Sequence, residues 1–247
     1  KTSRLILYRD LDEQMLLDSM AALLEGEETA GKWDPWQCAN RLLELAARYG
    51  FEGNLWHCFL AYCLANHENA YNTACEIAEP AEGTIRELAA NDFGLIKELF
   101  DLDIAGLPGD FWKNLAAYHA AERTGRAFNR RIRDRLIMLA RELEAAADPK
   151  EFQDYVTGFY REFGVGRFGL NKAFRIEENG PEGAGLSRIE PITRIDHVYL
   201  KDLVGYELQK QKLIANTEAF IAGKEANNVL LYGDAGTGKS SSIKAIL

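Results

Sequence analysis

Eight residues near the C-terminal end, Gly233-Asp-Ala-Gly-Thr-Gly-Lys-Ser240, have the types and spacing of a phosphate cradle. Gly233, Gly236 and Gly238 can take backbone conformations closed to residues with a Cβ, so successive N–H groups can curl around a polyphosphate. The ammonium of Lys239 would reach the β- and γ-phosphates, and the Ser240 hydroxyl would hold Mg²⁺. Gly236, Thr237, Gly238 and Lys239 are the residues expected on phosphate, with Gly233 and Ser241 completing the set and Ser240 the metal position. The cofactor that this pattern calls for is a nucleotide with Mg²⁺, which the resemblance given below narrows to ATP. The following helix would aim its unpaired N–H donors at the same anion.

Such a loop works only if a strand delivers it and a helix leaves it. Asn228-Val-Leu-Leu-Tyr232 is a short apolar run that reads as a buried parallel strand, and 240–247 reads as an opening helix. Upstream, 202–222 reads as a helix followed by a turn at Gly223-Lys-Glu225. A ligand-free Gly-rich turn would use the same residue types, but strand, loop and helix stand here in the order a nucleotide site needs.

The stretch from Asp196 to Lys210, with Leu203-Val-Gly-Tyr206 inside it, followed by Asn227 to Ser240, resembles the opening of an AAA+ ATPase module. More closely, the chain resembles a bacterial AAA+ family filed as domain of unknown function 815. The residues that carry this are Ile189-Glu-Pro-Ile192, Leu203-Val-Gly-Tyr206, the phosphate loop, and upstream Gly53-Asn-Leu-Trp56 and Glu68-Asn-Ala70. The resemblance implies that Val204 and Gly205 lie near the adenine. It also implies a homo-oligomer, commonly a ring, because the arginine finger comes from a neighbouring subunit, and a macromolecular partner recruited by the helical part. Asp234 stands where proline is usual, which leaves the phosphate-contacting positions intact.

Only eight residues follow Lys239. They leave no room for a second strand ending in paired acids, for a residue orienting the attacking water, or for an arginine finger. The expectation is a piece of a longer protein that cradles phosphate without completing hydrolysis. Its strand at 229–232 should then pair with 167–176 or 187–199, or with another copy of the chain, rather than fray. Two functional readings stay open: an ATPase with a helical recruitment domain, or a helical interaction scaffold whose nucleotide site is structural or regulatory.

The 247 residues are 47% apolar and 27% charged, with a formal net charge of −9. That length and composition suit two domains. The acidic balance argues against a dedicated nucleic-acid or anionic-membrane binder. No apolar run reaches the roughly 18 residues that span a bilayer. Cys38, Cys58, Cys63 and Cys75 form no C-x-x-C pair and read as reduced, buried thiols of a cytoplasmic protein rather than metal ligands.

The expected fold is mainly α. A helical domain of seven or eight helices over 1–163 forms an irregular bundle; a β-like linker segment follows over 164–200, and the first βα unit of a P-loop α/β ATPase domain over 201–247. Asp34-Pro35 and Asp148-Pro149 are N-caps with proline in the first turn, closed by Gly50 and Gly164. Thr84 to Glu87 has the pattern of a capping box. Trp36, Leu43 and Ala46 are expected on one buried face. Loop signals fall at 26–31, 106–109 and 123–125. Arg167–Ile176 and Ser187–Tyr199 alternate like strands, around a Gly- and Glu-rich segment at 177–185.

Four further constellations attract chemistry. Gly164-Val-Gly-Arg-Phe-Gly169 spells G-x-G-x-x-G, but it follows an amphipathic helix instead of a strand, so a glycine-rich helix exit is preferred. Six arginines and one acid occupy 123–135, with Arg126, Arg130 and Arg133 expected on one solvated face paired with local carboxylates. Trp33, Trp36, Trp56 and Trp112, with Phe51, Phe59 and Tyr62, read as core. His67-Glu68 lacks the second histidine of a zinc hydrolase, since Tyr71 stands there.

Overall fold

A computed structural model describes residues 1–26, 33–77, 83–120, 129–171, 174–178, 187–192 and 199–246. The chain divides into two units, Lys1–Thr193 and Arg194–Leu247. The first is built from α1 (Gln14–Glu25), α2 (Pro35–Tyr49), α3 (Leu55–Asn66), α4 (Ala70–Ile77), α5 (Thr84–Phe100), α6 (Phe111–Ala116), α7 (Arg130–Ala145), α8 (Pro149–Phe163), α9 (Gly166–Leu170) and a two-stranded hairpin. Helix dominates, as expected, with eight α-helices among the described residues before Gly164.

The centre of this unit is α3, where Leu55, Trp56, Phe59, Leu60, Ala61 and Leu64 are among ten buried residues covering every side of the helix. A helix apolar all round must be enclosed, and α2, α5, α6, α7 and α9 enclose it. The Gly53–Trp56 segment explains its entry. Gly53 (φ 86°) exchanges main-chain hydrogen bonds of 2.8 and 2.9 Å with Tyr118, and the Asn54 side chain accepts from the N–H groups of Trp56 and His57. Trp56 donates its indole N–H to the Leu99 carbonyl at 2.8 Å. Asn69 caps α4 in the same way, accepting from Tyr71 and Asn72.

The proline-marked caps form. Asp34 accepts from Gln37 N–H at 2.8 Å and the Gln37 side chain accepts from Asp34 N–H at 3.0 Å, a reciprocal capping box. Asp148 accepts from the N–H groups of Lys150 and Glu151. Gly50 closes α2 in the left-handed region (φ 74°). The buried stripe of α2 is Cys38, Ala39, Leu42, Leu45 and Ala46. The expected face was misplaced: Ala46 is buried, but Trp36 is 69% exposed and Leu43 is exposed too. Trp36 sits roughly 200° around the helix from Cys38 and stacks on Phe111 with ring centroids 4.4 Å apart.

The Thr84 capping box does not form. Helix α5 begins at Thr84, and Gly83 occupies the cap position with no side-chain bond. Thr84 is inside the helix, one residue too late for its hydroxyl to cap. Of the loop signals, 106–109 runs from the last residue of a 3₁₀ turn (Ile104–Gly106) towards α6. Most of 26–31 and all of 123–125 fall outside the described residues, as does Arg126.

A long-range polar clamp fixes the N-terminal segment. The Asp92 carboxylate, buried on α5, accepts from the N–H groups of Ile6 (2.9 Å), Leu7 (2.7 Å) and Tyr8 (3.1 Å). The Tyr8 hydroxyl meets that of Tyr160 at 2.5 Å, and Tyr160 donates to the Leu64 carbonyl. His67 Nε2 lies 3.0 Å from the Leu7 carbonyl.

The G-x-G-x-x-G segment is a helix-to-helix corner. Gly164 (φ 71°) ends α8, and Gly166 (φ 67°) opens the short helix α9. A Cβ on Gly169 would lie 2.3 Å from the Gly164 carbonyl carbon, so two stretches of main chain touch there. The strand expected over 167–176 is therefore shorter and later: 166–170 is helical, and β1 covers Phe174–Glu178. Strand β2 (Ser187–Pro191) pairs with β1 antiparallel, with Ile176 opposite Ile189. Of the two β-like stretches, 172–173 and 193–198 lie outside the described residues, as does 179–186 within the linker.

The second unit holds a 3₁₀ turn (Leu200–Asp202), α10 (Glu207–Ile221) and α11 (Lys239–Ile246). The helix expected from 202 starts at Glu207, because Gly205 (φ 84°) and Tyr206 (φ 58°) both lie in the left-handed region. Val229–Tyr232 forms no strand and is not buried: Leu230 is 83% and Tyr232 88% exposed. None of the described residues of this unit is buried, and neither β1 nor β2 pairs with 229–232. The expected pairing within the chain is thus not formed among the described residues. A parallel strand needs neighbours on its edges and cover on its faces, and the described residues of this unit supply neither.

Candidate phosphate-binding site

The loop 233–238 leads directly into α11. Gly233, Gly236 and Gly238 have φ of 142°, 78° and 84°, values that side-chain-bearing residues rarely adopt. A Cβ built on Gly236 or Gly238 would meet nothing within 4 Å, so the loop is open on that side. Thr237 donates its hydroxyl to the Asp234 carbonyl at 2.8 Å, bracing the turn. The main-chain ladder at the helix start runs from Ser242 N–H to the Gly238 carbonyl at 2.8 Å. The amides of Lys239, Ser240 and Ser241 therefore precede the ladder, at the positive end of the helix.

Lys239 folds back over the loop. Its ammonium donates to the carbonyls of Gly233 (2.8 Å) and Asp234 (2.6 Å) and reaches the Thr237 hydroxyl at 3.3 Å. It thus sits on the loop that its neighbours outline, held by neutral oxygens. Asp234 joins the site through its carbonyl, so the residue type at that position is not what the loop uses. Ser240 is exposed and Ser241 half-buried. No carboxylate among the described residues bonds Lys239 or Ser240.

Helix α11 packs on the 3₁₀ turn at Leu200–Asp202. The turn containing Val204 and Gly205 therefore departs from beside it, with Val204 94% exposed. Lys210 donates to the Leu203 carbonyl at 2.7 Å and pairs with Glu207, pinning this turn to α10. Asn216 and Asn227 bond reciprocally, side chain to main chain, at 2.9 Å in both directions, which ties the segment entering the loop to α10. This bracket had no sequence signal, since two asparagines 11 residues apart match no motif.

The residues present fit a polyphosphate anion. Open space lies over two positive-φ glycines, helix-end amides stand beside it, and one lysine ammonium can exchange carbonyl oxygens for phosphate oxygens. Cys38, Cys58, Cys63 and Cys75 are buried, and no group of three or more metal-ligating side chains occurs among the described residues. Trp56 and Trp112 are core, and Trp33 packs against it.

No curated protein and no solved structure matches the chain. The resemblance read from Ile189–Ile192, Leu203–Tyr206 and the glycine-rich loop has its counterpart in one comparison: residues 170–247 match the family described as protein of unknown function DUF815.

Proposed function

We propose that the chain binds ATP with Mg²⁺ at Gly233–Ser241, as part of an AAA+ type ATPase whose helical unit recruits a macromolecular partner. The observation that supports it is the loop itself: three positive-φ glycines, an open face over two of them, and Lys239 positioned at the start of α11. In this reading Gly236, Thr237, Gly238 and Lys239 bind phosphate oxygens. Ser240 holds the metal, and Val204 and Gly205 border the base. Bound Mg²⁺ would offset phosphate charge, and the chain's own part is to orient the polyphosphate along the helix axis. Assembly into a homo-oligomer and a cytoplasmic setting belong to the same proposal, and the buried reduced thiols accord with the latter.

The test is equilibrium binding of Mg·ATP to the wild-type chain and to Lys239→Ala. Losing charged hydrogen bonds to phosphate should weaken binding by about ten- to a hundredfold. Equal affinity of the two proteins would overturn the assignment.

A further inference from the structure

Helix α7 opens with Arg130-Arg-Ile-Arg133 and has no acid in its first turn. Cations at the positive end of a helix are electrostatically unfavourable, so this arrangement calls for a reason beyond folding. The expected pairing with local carboxylates holds for Arg133, which bonds Asp134 at 2.7 Å. Arg131 and Arg135, which that expectation did not include, make no ion pair among the described residues. Arg131 Nη1 is buried and has no acceptor. Arg135, one helical turn on, lays its guanidinium 4.2 Å from the centre of the Phe163 ring and makes no ion pair among the described residues. Stacking of that kind fixes the plane of the guanidinium and leaves its N–H edge available.

Both groups are half-buried, and both are held below the usual arginine value by burial, Arg135 additionally by the charge of Arg131. Glu162 is the carboxylate that pulls Arg135 upward, and it makes no bond to it. Two like charges, partly desolvated, one turn apart and with no carboxylate bonded to either among the described residues, destabilise the helical unit as it stands. A ligand carrying two negative charges would reverse this, because it balances both guanidinia where one carboxylate balances only half.

We infer that Arg131 and Arg135, backed by Phe163, form a binding site for a phosphoryl dianion, separate from the glycine-rich loop. The planar forks of two arginines supply several N–H donors to its oxygens, and a turn of the half-exposed Arg131 side chain brings its Nη1 the acceptor it lacks. The shared chemistry is a phosphate monoester or free phosphate. Arg133 and Arg130 add positive potential without taking part in the bonding.

The experiment follows the arginine Nε–H signals of the full chain by ¹H–¹⁵N NMR during titration with inorganic phosphate, O-phosphoserine or acetate, with chloride matching the ionic strength. Arg131 and Arg135 should shift with phosphate and phosphoserine, and Arg131→Met or Arg135→Met should weaken binding about tenfold. Tighter binding of phosphoserine than of phosphate would identify a phosphorylated side chain as the source, and the reverse order free phosphate. Running the series in Lys239→Ala separates this site from the loop: the shifts persist there if the two are independent, whatever the fate of ATP binding. Without phosphate, Arg131→Met should raise Tm, and phosphate should raise Tm less in the variant than in wild type. Shifts that acetate reproduces at equal concentration, no shift at all, or a lower Tm for Arg131→Met, which would reveal a carboxylate already paired with it, would each overturn the inference.

Discussion

Replacing Asp92 by asparagine removes one charge from the core without changing its shape, and the cost can be worked out atom by atom. Oδ2 accepts from Leu7 at 2.7 Å and Tyr8 at 3.1 Å; Ile6 N–H lies 2.9 Å from Oδ1 and 3.0 Å from Oδ2; Oδ1 also accepts from the Asn91 amide at 2.9 Å. An asparagine can keep its oxygen at the Oδ2 position. Its amide then faces two donors, Ile6 N–H and the Asn91 side chain. Hydrogen bonds to a charged acceptor contribute about 1.5–3 kcal/mol each and neutral ones about 0.5–1.5 kcal/mol. Weakening three of them therefore costs about 2–4 kcal/mol, before any donor–donor repulsion. Asp92→Ala leaves the Tyr8 amide buried with no acceptor and should cost more. Urea unfolding followed by tryptophan fluorescence reads this as a lower midpoint at unchanged slope. A change for Asp92→Asn below about 0.5 kcal/mol, within the range of an ordinary surface substitution, would refute the reasoning.

Two further outcomes follow from the geometry of the helical unit. Burial holds the His57 imidazole below its usual value, against the opposing pull of Glu144, whose carboxylate lies 3.7 Å from Nδ1. The unfolded chain therefore takes up the proton first: stability is complete above about pH 6.5 and declines as pH falls through the window between the unfolded and the lower folded value. His57→Gln should flatten the difference in urea midpoint between about pH 7.5 and 5.5, and an unchanged difference would count against it. At the α8–α9 corner, Gly169→Ala should destabilise far more than Gly166→Ala. The first drives a Cβ to 2.3 Å from main chain; the second meets the end of the Glu68 side chain, which can swing away, leaving only the left-handed strain of about 1–2 kcal/mol. Equal thermal shifts for the two variants would show that the corner relaxes.

What was legible in the sequence were features whose partners sit within one helical turn. Asp34-Pro35, Asp148-Pro149, Gly50 and Gly164 each act on their own neighbours, so composition and order suffice to place them. The glycine-rich loop was legible for the same reason: its residues contact one another. Thr84 and Trp36 misled because a one-residue offset in a helix start, or a rotation of its buried stripe, changes nothing in the local pattern. The Asp92 clamp joins residues more than 80 positions apart, and no periodicity announces it. Val229–Tyr232 has the composition of an interior strand, but composition reports what a segment prefers to be buried in, not whether the cover is there. The arginine run showed its charge but not its pairing, which depends on where α8 places Phe163.

The ammonium of Lys239 resting on the carbonyls of Gly233 and Asp234 makes the loop its own competitor. Any anion that enters must first displace those contacts, so its apparent affinity is the intrinsic affinity reduced by the fraction of time the lysine spends swung out. Three neutral oxygens form a threshold that chloride or a monovalent carboxylate matches poorly, since neither offers more than the lysine already has. On the proposed reading, a polyphosphate would exceed it by engaging the lysine and the helix-end amides together. In that reading the folded-back lysine would act as a filter on ligand charge, and substituting a shorter or neutral side chain should loosen discrimination among small anions even as it weakens binding of the large one.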